Sequence, residues 1–231
     1  MEENTVFVKL YSGDEPALAV NWDELRRYSG YLSPAEDMDE SLRELYSAVV
    51  EDILPLAEYK VCYRRMSLER CDGQVILPFG EGSRDAERLL CHSDEIIVFA
   101  ATVGLGIDRY IARYQHISPA KALVAQGFGA ERIETLCNAF CAEIRAELSA
   151  EGKGITPRYS PGYGDMALAA QTDIFRLLDC NRRIGLSLGS SLLMMPSKSV
   201  TAFFGITSGD TEEVPGNKCR RCRKADCQYR K

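Results

Sequence analysis

Glu95-Ile-Ile-Val-Phe-Ala-Ala-Thr102 is the most strand-like run of the chain. Ile96 to Ala101 is continuously apolar, without the alternation of a half-buried strand. A strand of this kind is covered on both faces. The run leads through Gly104-Leu-Gly106 into a short helix carrying Ile107, Tyr110, Ile111 and Tyr114. Gly104-x-Gly106 lacks the third glycine and the acidic residue of a dinucleotide fingerprint, so it is weak evidence for one. Ser118-Pro119 opens a further helix, expected to reach about Ala150 with a bend near Gly127 and Gly129. Ile133, Leu136, Cys137, Phe140, Ile144 and Leu148 mark its buried face.

Upstream, Thr5 to Tyr11 alternates apolar and polar residues as a strand does. Ser33-Pro34-Ala-Glu36 reads as a capping box opening a helix, with Met38, Leu42, Leu45 and Val49 on one face. That helix should end near Ile53, before Pro55. Lys60–Arg64 and Gln74–Leu77 are strand candidates, and a short helix is expected over Asp85–Cys91. Downstream, Glu151 to Asp165 is rich in Gly and Pro and reads as loop. Met166 to Asp179 reads as helix. Ile184–Leu188 and Ser199–Ile206 read as strands joined through Met194-Met195-Pro196. Strands and helices are mixed without a βαβα rhythm, which places the chain in the α+β class. One domain is expected over 1–210, less surely in its part before about 94, with a linker and cysteine-rich basic tail over 211–231.

The 231 residues carry a formal charge of −6. That balance argues against a general nucleic-acid binder, which needs a basic face to displace counterions. No apolar run approaches the roughly 20 residues that span a bilayer, so no membrane partner is expected. Met1-Glu-Glu-Asn-Thr5 has no basic region followed by an apolar one, so it is not a secretory signal and a cytoplasmic location is expected. Nine cysteines in such a protein do not suggest a disulfide framework. Cys62, Cys71, Cys91, Cys137, Cys141 and Cys180 are dispersed and read as small buried hydrophobes. His92 and His116 are isolated, while Tyr110, Tyr114, Met194 and Met195 read as core.

Arg158-Tyr-Ser-Pro-Gly-Tyr-Gly-Asp165 has the composition of a ligand loop. Gly162 and Gly164 let a ligand approach the backbone, and Arg158 offers a planar fork for a carboxylate. Tyr159 and Tyr163 offer aromatic faces and hydroxyls. Such a loop suits a small zwitterion bearing a heteroaromatic base. By composition alone, an ordinary turn with a tyrosine packed beneath it is the favoured reading.

The same segment, followed by Gln171 and Ile174-Phe175, resembles the R-x-x-x-G-Y signature of the activation domain of cobalamin-dependent methionine synthase. Ile184-Gly-Leu-Ser-Leu188, Met194-Met195-Pro196 and Ser199-Val200 resemble the family's downstream segments, and Gln126 to Ala130 through Glu134 its preceding helix. The resemblance covers roughly residues 95–207. It implies a mixed, mainly antiparallel twisted sheet with flanking helices. It implies that Arg158 binds the methionyl carboxylate of S-adenosylmethionine, with Ser160 and Gly162 as backbone contacts and Tyr163 against the ligand. Glu134 is the candidate for the ligand's amino or sulfonium side, with Glu131 one turn away as its competitor. Asp165 and Gln171 would orient the loop, or Asp165 would cap the following helix.

The family's role is to hold the sulfonium methyl over a partner's corrin. An electron donor such as flavodoxin or ferredoxin first reduces the cobalt of the cobalamin. The partner would be a corrinoid protein or a short cobalamin-dependent methionine synthase acting in trans, since the folate, homocysteine and cobalamin modules do not precede this segment. A further ligand tyrosine of longer family members has no counterpart after Gly205-Ile206. The domain would be a component of methionine synthase activity, without a catalytic base of its own.

The tail Cys219-Arg-Arg-Cys222-Arg-Lys-Ala-Asp-Cys227 has ligand-like spacing. Three thiolates would give a zinc site one ligand short, or an iron–sulfur cluster with one open iron. Reducible thiols on a basic tail are the alternative. Two competing functions therefore stand beside activation: an independent S-adenosylmethionine-dependent methyltransferase, and a metal or iron–sulfur redox protein.

Overall fold

A computed structural model describes residues 5–209. The expected linker and the tail cysteines Cys219, Cys222 and Cys227 lie outside the described residues. Chain order gives strand β1 (Phe7–Tyr11), helices α1 (Trp22–Tyr28) and α2 (Glu40–Ile53), strands β2 (Tyr59–Ser67), β3 (Glu69–Cys71) and β4 (Gln74–Ile76), and helix α3 (Arg84–Leu90). Strand β5 (Ser93–Thr102), helices α4 (Gly106–Tyr114) and α5 (Pro119–Ser149), and strand β6 (Lys153–Ile155) follow. Helices α6 (Gln171–Leu178) and α7 (Cys180–Ile184) and strands β7 (Ser187–Leu188), β8 (Met194–Met195) and β9 (Ser199–Ser208) complete the described chain.

The main sheet has the order β1-β2-β5-β9-β6, and every strand pair in it is antiparallel. β5 lies at its centre, as its unbroken apolar run requires. Because strand side chains alternate, Ile97, Phe99 and Ala101 enter one core while Ile96, Val98 and Ala100 enter another. β9 repeats the division, with Ala202 and Phe204 on the first side and Phe203 on the second. The first core is closed by α1, α2, α4 and α5, the second by α3, α6 and α7. Fully burying a side chain such as Phe99 contributes about 1.5–3 kcal/mol, so the two cores together fix the sheet between its helix layers.

Several local expectations are corrected. The capping box at Ser33–Glu36 opens only a 3₁₀ turn, Ala35–Asp37, with no side-chain cap. Met38 is extended and buried, and α2 starts at Glu40 with the Asp39 carboxylate accepting from Leu42 N at 2.8 Å. The helix expected from Met166 starts only at Gln171, after a 3₁₀ turn at Leu168–Ala170. Cys180–Ile184 is helical, and Gly185 (φ 70°) ends it, so only Ser187–Leu188 is strand. The loop 151–165 contains β6, which adds to the sheet edge. Three of the dispersed cysteines are buried (Cys62, Cys137 and Cys180), but Cys71 and Cys91 are exposed and Cys141 is half-buried. Met195 is exposed, unlike the buried Tyr110, whose hydroxyl donates to Asp52 at 3.0 Å.

α5 is one α-helix of 31 residues through Gly127 and Gly129. Its glycines serve close packing. A Cβ at Gly127 would lie 2.7 Å from Ser29 N and closer still to Ser29 Oγ, and one at Gly129 would lie 2.8 Å from the Lys198 side chain. Gly127→Ala therefore pushes α1 off α5, and the expected loss is about 1–3 kcal/mol, read as a lower urea midpoint. Gly129→Ala meets only a flexible lysine stem and should cost less. Among the described residues no helix is long and apolar enough to cross a membrane.

Candidate functional site

The loop Arg158–Asp165 is tied to the sheet by Tyr159. Its N–H donates to Phe203 O at 2.8 Å and its carbonyl accepts from Phe203 N at 2.9 Å, so the chain runs beside β9 beyond the end of β6. The Tyr159 ring meets Phe203 edge-on, with centroids 5.8 Å apart. Its hydroxyl donates to Tyr163 O at 2.8 Å. Tyr159 is thus the residue packed beneath the turn, and Tyr163 is free to face a ligand. Gly162 (φ 86°) and Gly164 (φ 55°) are left-handed, and a Cβ at Gly164 would strike the Tyr159 hydroxyl and the Asp85 carboxylate. Gly162 N donates to Met166 O at 3.0 Å, closing the turn.

Asp165 does not cap the helix that follows it. Its carboxylate accepts from the Ser83 hydroxyl, from Arg84 N at 2.9 Å and from Asp85 N at 3.4 Å, so it caps α3 and anchors the loop there. The Ser83 hydrogen bond, helped by the two N–H groups, holds this carboxyl below the usual aspartate range. Gln171 is buried, and its amide donates to Leu192 O, which fixes the connection between β7 and β8 against α6.

These supports frame a cleft of about 420 Å³. Glu134, Arg158, Ser160 and Tyr163 line it, joined by Tyr159, Leu168, Gln171 and Met194. Ser199 and Thr201 close the side formed by β9. Arg158 Nη2 donates to Glu134 Oε2 at 2.7 Å and to Asn138 Oδ1 at 3.0 Å. Four of the five residues singled out for a ligand therefore share one cavity, and the fifth, Gly162, shapes its rim. Glu131 is not among them. It is buried against Arg132, with Oε2 accepting from Nε at 2.5 Å, and it also accepts from Asn21 N at 3.0 Å.

Sequence reasoning placed Met194 in the core and passed over Asn138, Leu168, Ser199 and Thr201. Asn138 follows Glu134 by four positions, so helical spacing already puts it beside Arg158 once Glu134 is assigned. Ser199 and Thr201 share the face of β9 that Phe203 occupies, two residues apart. Their polarity at the open end of that face was the available signal. Among the described residues no cluster of three His, Cys, Asp or Glu side chains is arranged to hold a metal.

Residues 86–212, just over half of the 231, match the profile of the family described as vitamin B12 dependent methionine synthase, activation domain. The chain belongs to this family. The match contains every residue assigned to the cleft and begins inside α3. The fold is that of the activation domain over a longer stretch. A solved structure described as the MetH reactivation domain bound to AdoHcy aligns with a TM-score of 0.66 at 17% identity, covering 91% of this chain and 81% of that one. A comparison with curated proteins finds no match.

Proposed function

We propose that the cleft binds S-adenosylmethionine and presents its methyl group to the cobalamin of a corrinoid partner for reductive methylation. The observation that carries this reading is the Arg158–Glu134 pair at the cleft wall. A guanidinium and a carboxylate 2.7 Å apart match, charge for charge, the α-carboxylate and α-ammonium of an amino-acid ligand. On binding, Arg158 exchanges Glu134 for the ligand carboxylate, and Glu134 turns to the ammonium. No buried charge is left alone in that exchange. Ser160 and Gly162 offer backbone groups, and Tyr163 offers a ring to the adenine or sulfonium side.

The rim fits a large, mostly apolar partner surface such as a corrin face. Tyr163 is 68% exposed and Leu168 44%, and both line the cleft together with Met194. Apolar side chains gathered at one opening mark an interaction surface more than scattered ones do. The chemistry belongs to the ligand and the corrin: an electron from a flavodoxin- or ferredoxin-type donor reduces the cobalt, which takes the sulfonium methyl and releases S-adenosylhomocysteine. The chain contributes position, holding donor and acceptor in reacting geometry. The AdoHcy bound by the structurally similar reactivation domain is the demethylated form of the same ligand, which supports the assignment.

Calorimetric titration with S-adenosylmethionine tests the binding step. Adding a corrinoid protein in the Co(II) state with a reductant and recording the methyl-cobalt absorption spectrum tests the second step. Saturable binding and ligand-dependent methyl-cobalt formation are expected, and a flat titration would sink the reading.

A further inference from the structure

A second recess lies on the N-terminal side of the molecule, before residue 86, where the family match begins. Its volume is about 440 Å³, and it shares no lining residue with the cleft around Arg158. Trp22 and Arg26 enter it from α1, four residues apart and so on one helix face. Arg43, Tyr46 and Ser47 enter it from one face of α2. The turn carrying Ala35 and Glu36, followed by Met38, closes the end between the helices.

The chemistry of these walls is selective. Met38 and Tyr46 are buried and give an apolar floor, while the Trp22 indole is 42% exposed beside them. A thioether and two aromatic rings favour a flat aromatic guest. Two guanidiniums from different helices face the same space against one lining carboxylate, Glu36. Arg26 is paired with Asp23, outside the recess. Among the described residues Arg43 reaches only the carbonyls of Ala35 and Glu36, at the long distances of 3.4 and 3.3 Å, which leaves its fork able to take a better acceptor. The size lies within the range of small-molecule sites, roughly 300–1,000 Å³, and the few polar groups converge from several elements.

We propose that this recess is a second ligand site, for a small planar aromatic anion that stacks on Trp22 and places its acidic group between Arg26 and Arg43. The site is independent of S-adenosylmethionine binding.

Trp22 is the sole tryptophan of the chain, so its indole N–H gives a single cross-peak in a ¹H–¹⁵N spectrum and reports on the recess alone. The probes are 2-naphthoate, its neutral isostere 2-naphthamide, and acetate, which has the charge without the ring. Saturable movement of the Trp22 peak is expected with 2-naphthoate, at a Kd at least about tenfold below that of 2-naphthamide, which loses the charge-assisted hydrogen bond, and of acetate, which loses the ring's burial. Arg43→Gln should raise the naphthoate Kd by about tenfold or more and leave S-adenosylmethionine titration unchanged. Arg26→Gln should act in the same direction, and the dispersion of each spectrum shows whether the variant is folded. Equal binding of 2-naphthamide, a shift that never saturates, or an unchanged Kd in folded Arg43→Gln would each overturn the proposal. None of these outcomes bears on the cleft at Arg158.

Discussion

Arg158→Ala is expected to raise the Kd for S-adenosylmethionine by about thirtyfold or more, since truncating one partner of a hydrogen-bonded charge pair in a binding site costs about 2–5 kcal/mol. Arg158 is the guanidinium lining the cleft, and its fork is already oriented by Glu134 and Asn138. Removing it leaves a ligand carboxylate facing Glu134 without a counter-charge, so repulsion replaces attraction. Arg158→Lys keeps the charge but loses the planar fork, and a loss of about tenfold is expected. Glu134→Gln keeps the shape and removes only the partner of the ligand's ammonium, with a similar loss of about tenfold. Calorimetry on the folded variants measures all three. The fold should survive each change, because the Glu134 side chain is 43% exposed and can be solvated by water when its partner is gone. Binding by Arg158→Ala with the affinity of the unaltered chain would remove Arg158 from the site.

The buried centre of this fold is readable from sequence because its signal is strong and local. Ile96 to Ala101 has no polar residue to place in water, and the structure covers both of its faces. The loop that walls the cleft is readable only through resemblance, since its composition alone fits an ordinary turn and the ordered segments on both sides of it carry the family match. What failed were choices between locally equivalent alternatives. Ser33 and Asp39 are both good caps, and burial of Met38, a tertiary effect, decided for Asp39. Cys180 and Ile184 are both buried at a spacing that suits a helix, yet the segment is too short to separate that period from a strand's. The choice of Glu134 over Glu131 did not fail, since Glu134 is the one that meets Arg158, but the three-residue spacing on α5 could not decide it. The answer comes from Arg132, whose guanidinium draws Glu131 into the interior. Ser199 and Thr201 reach the cleft only through the register of β9 against β5, with Thr201 opposite Ala100 and Ser199 opposite Thr102. No local pattern encodes that pairing.

Arg132→Met is expected to produce the largest loss of stability, about 3–5 kcal/mol, because it strands a buried carboxylate. Arg132 and Glu131 are both buried from solvent. The guanidinium donates to Leu18 O at 2.6 Å and Ala19 O at 3.0 Å, as well as to both oxygens of Glu131. Glu131 in turn accepts from Asn21 N at 3.0 Å and Thr135 Oγ1 at 2.8 Å. The pair thus pins the chain between Pro16 and Asn21, which leads into α1, onto α5. At this chain length each kcal/mol lowers Tm by about 2–4 °C, so a fall of roughly 6–20 °C is expected in a thermal scan. An isolated buried ion pair can often be replaced by apolar residues at no cost. Here Arg132→Met with Glu131→Leu should stay destabilised, because the buried Leu18 carbonyl would lose a partner worth about 1–3 kcal/mol, and the part-buried Ala19 carbonyl and Asn21 N–H would lose theirs as well. Recovery of full stability in the double variant would show that these backbone bonds contribute little. The folded fraction of Arg132→Met should still bind S-adenosylmethionine with unaltered Kd, since Arg132 lines no part of the cleft. Loss of binding in that folded fraction would instead make the α5 surface around Glu134 dependent on the buried pair.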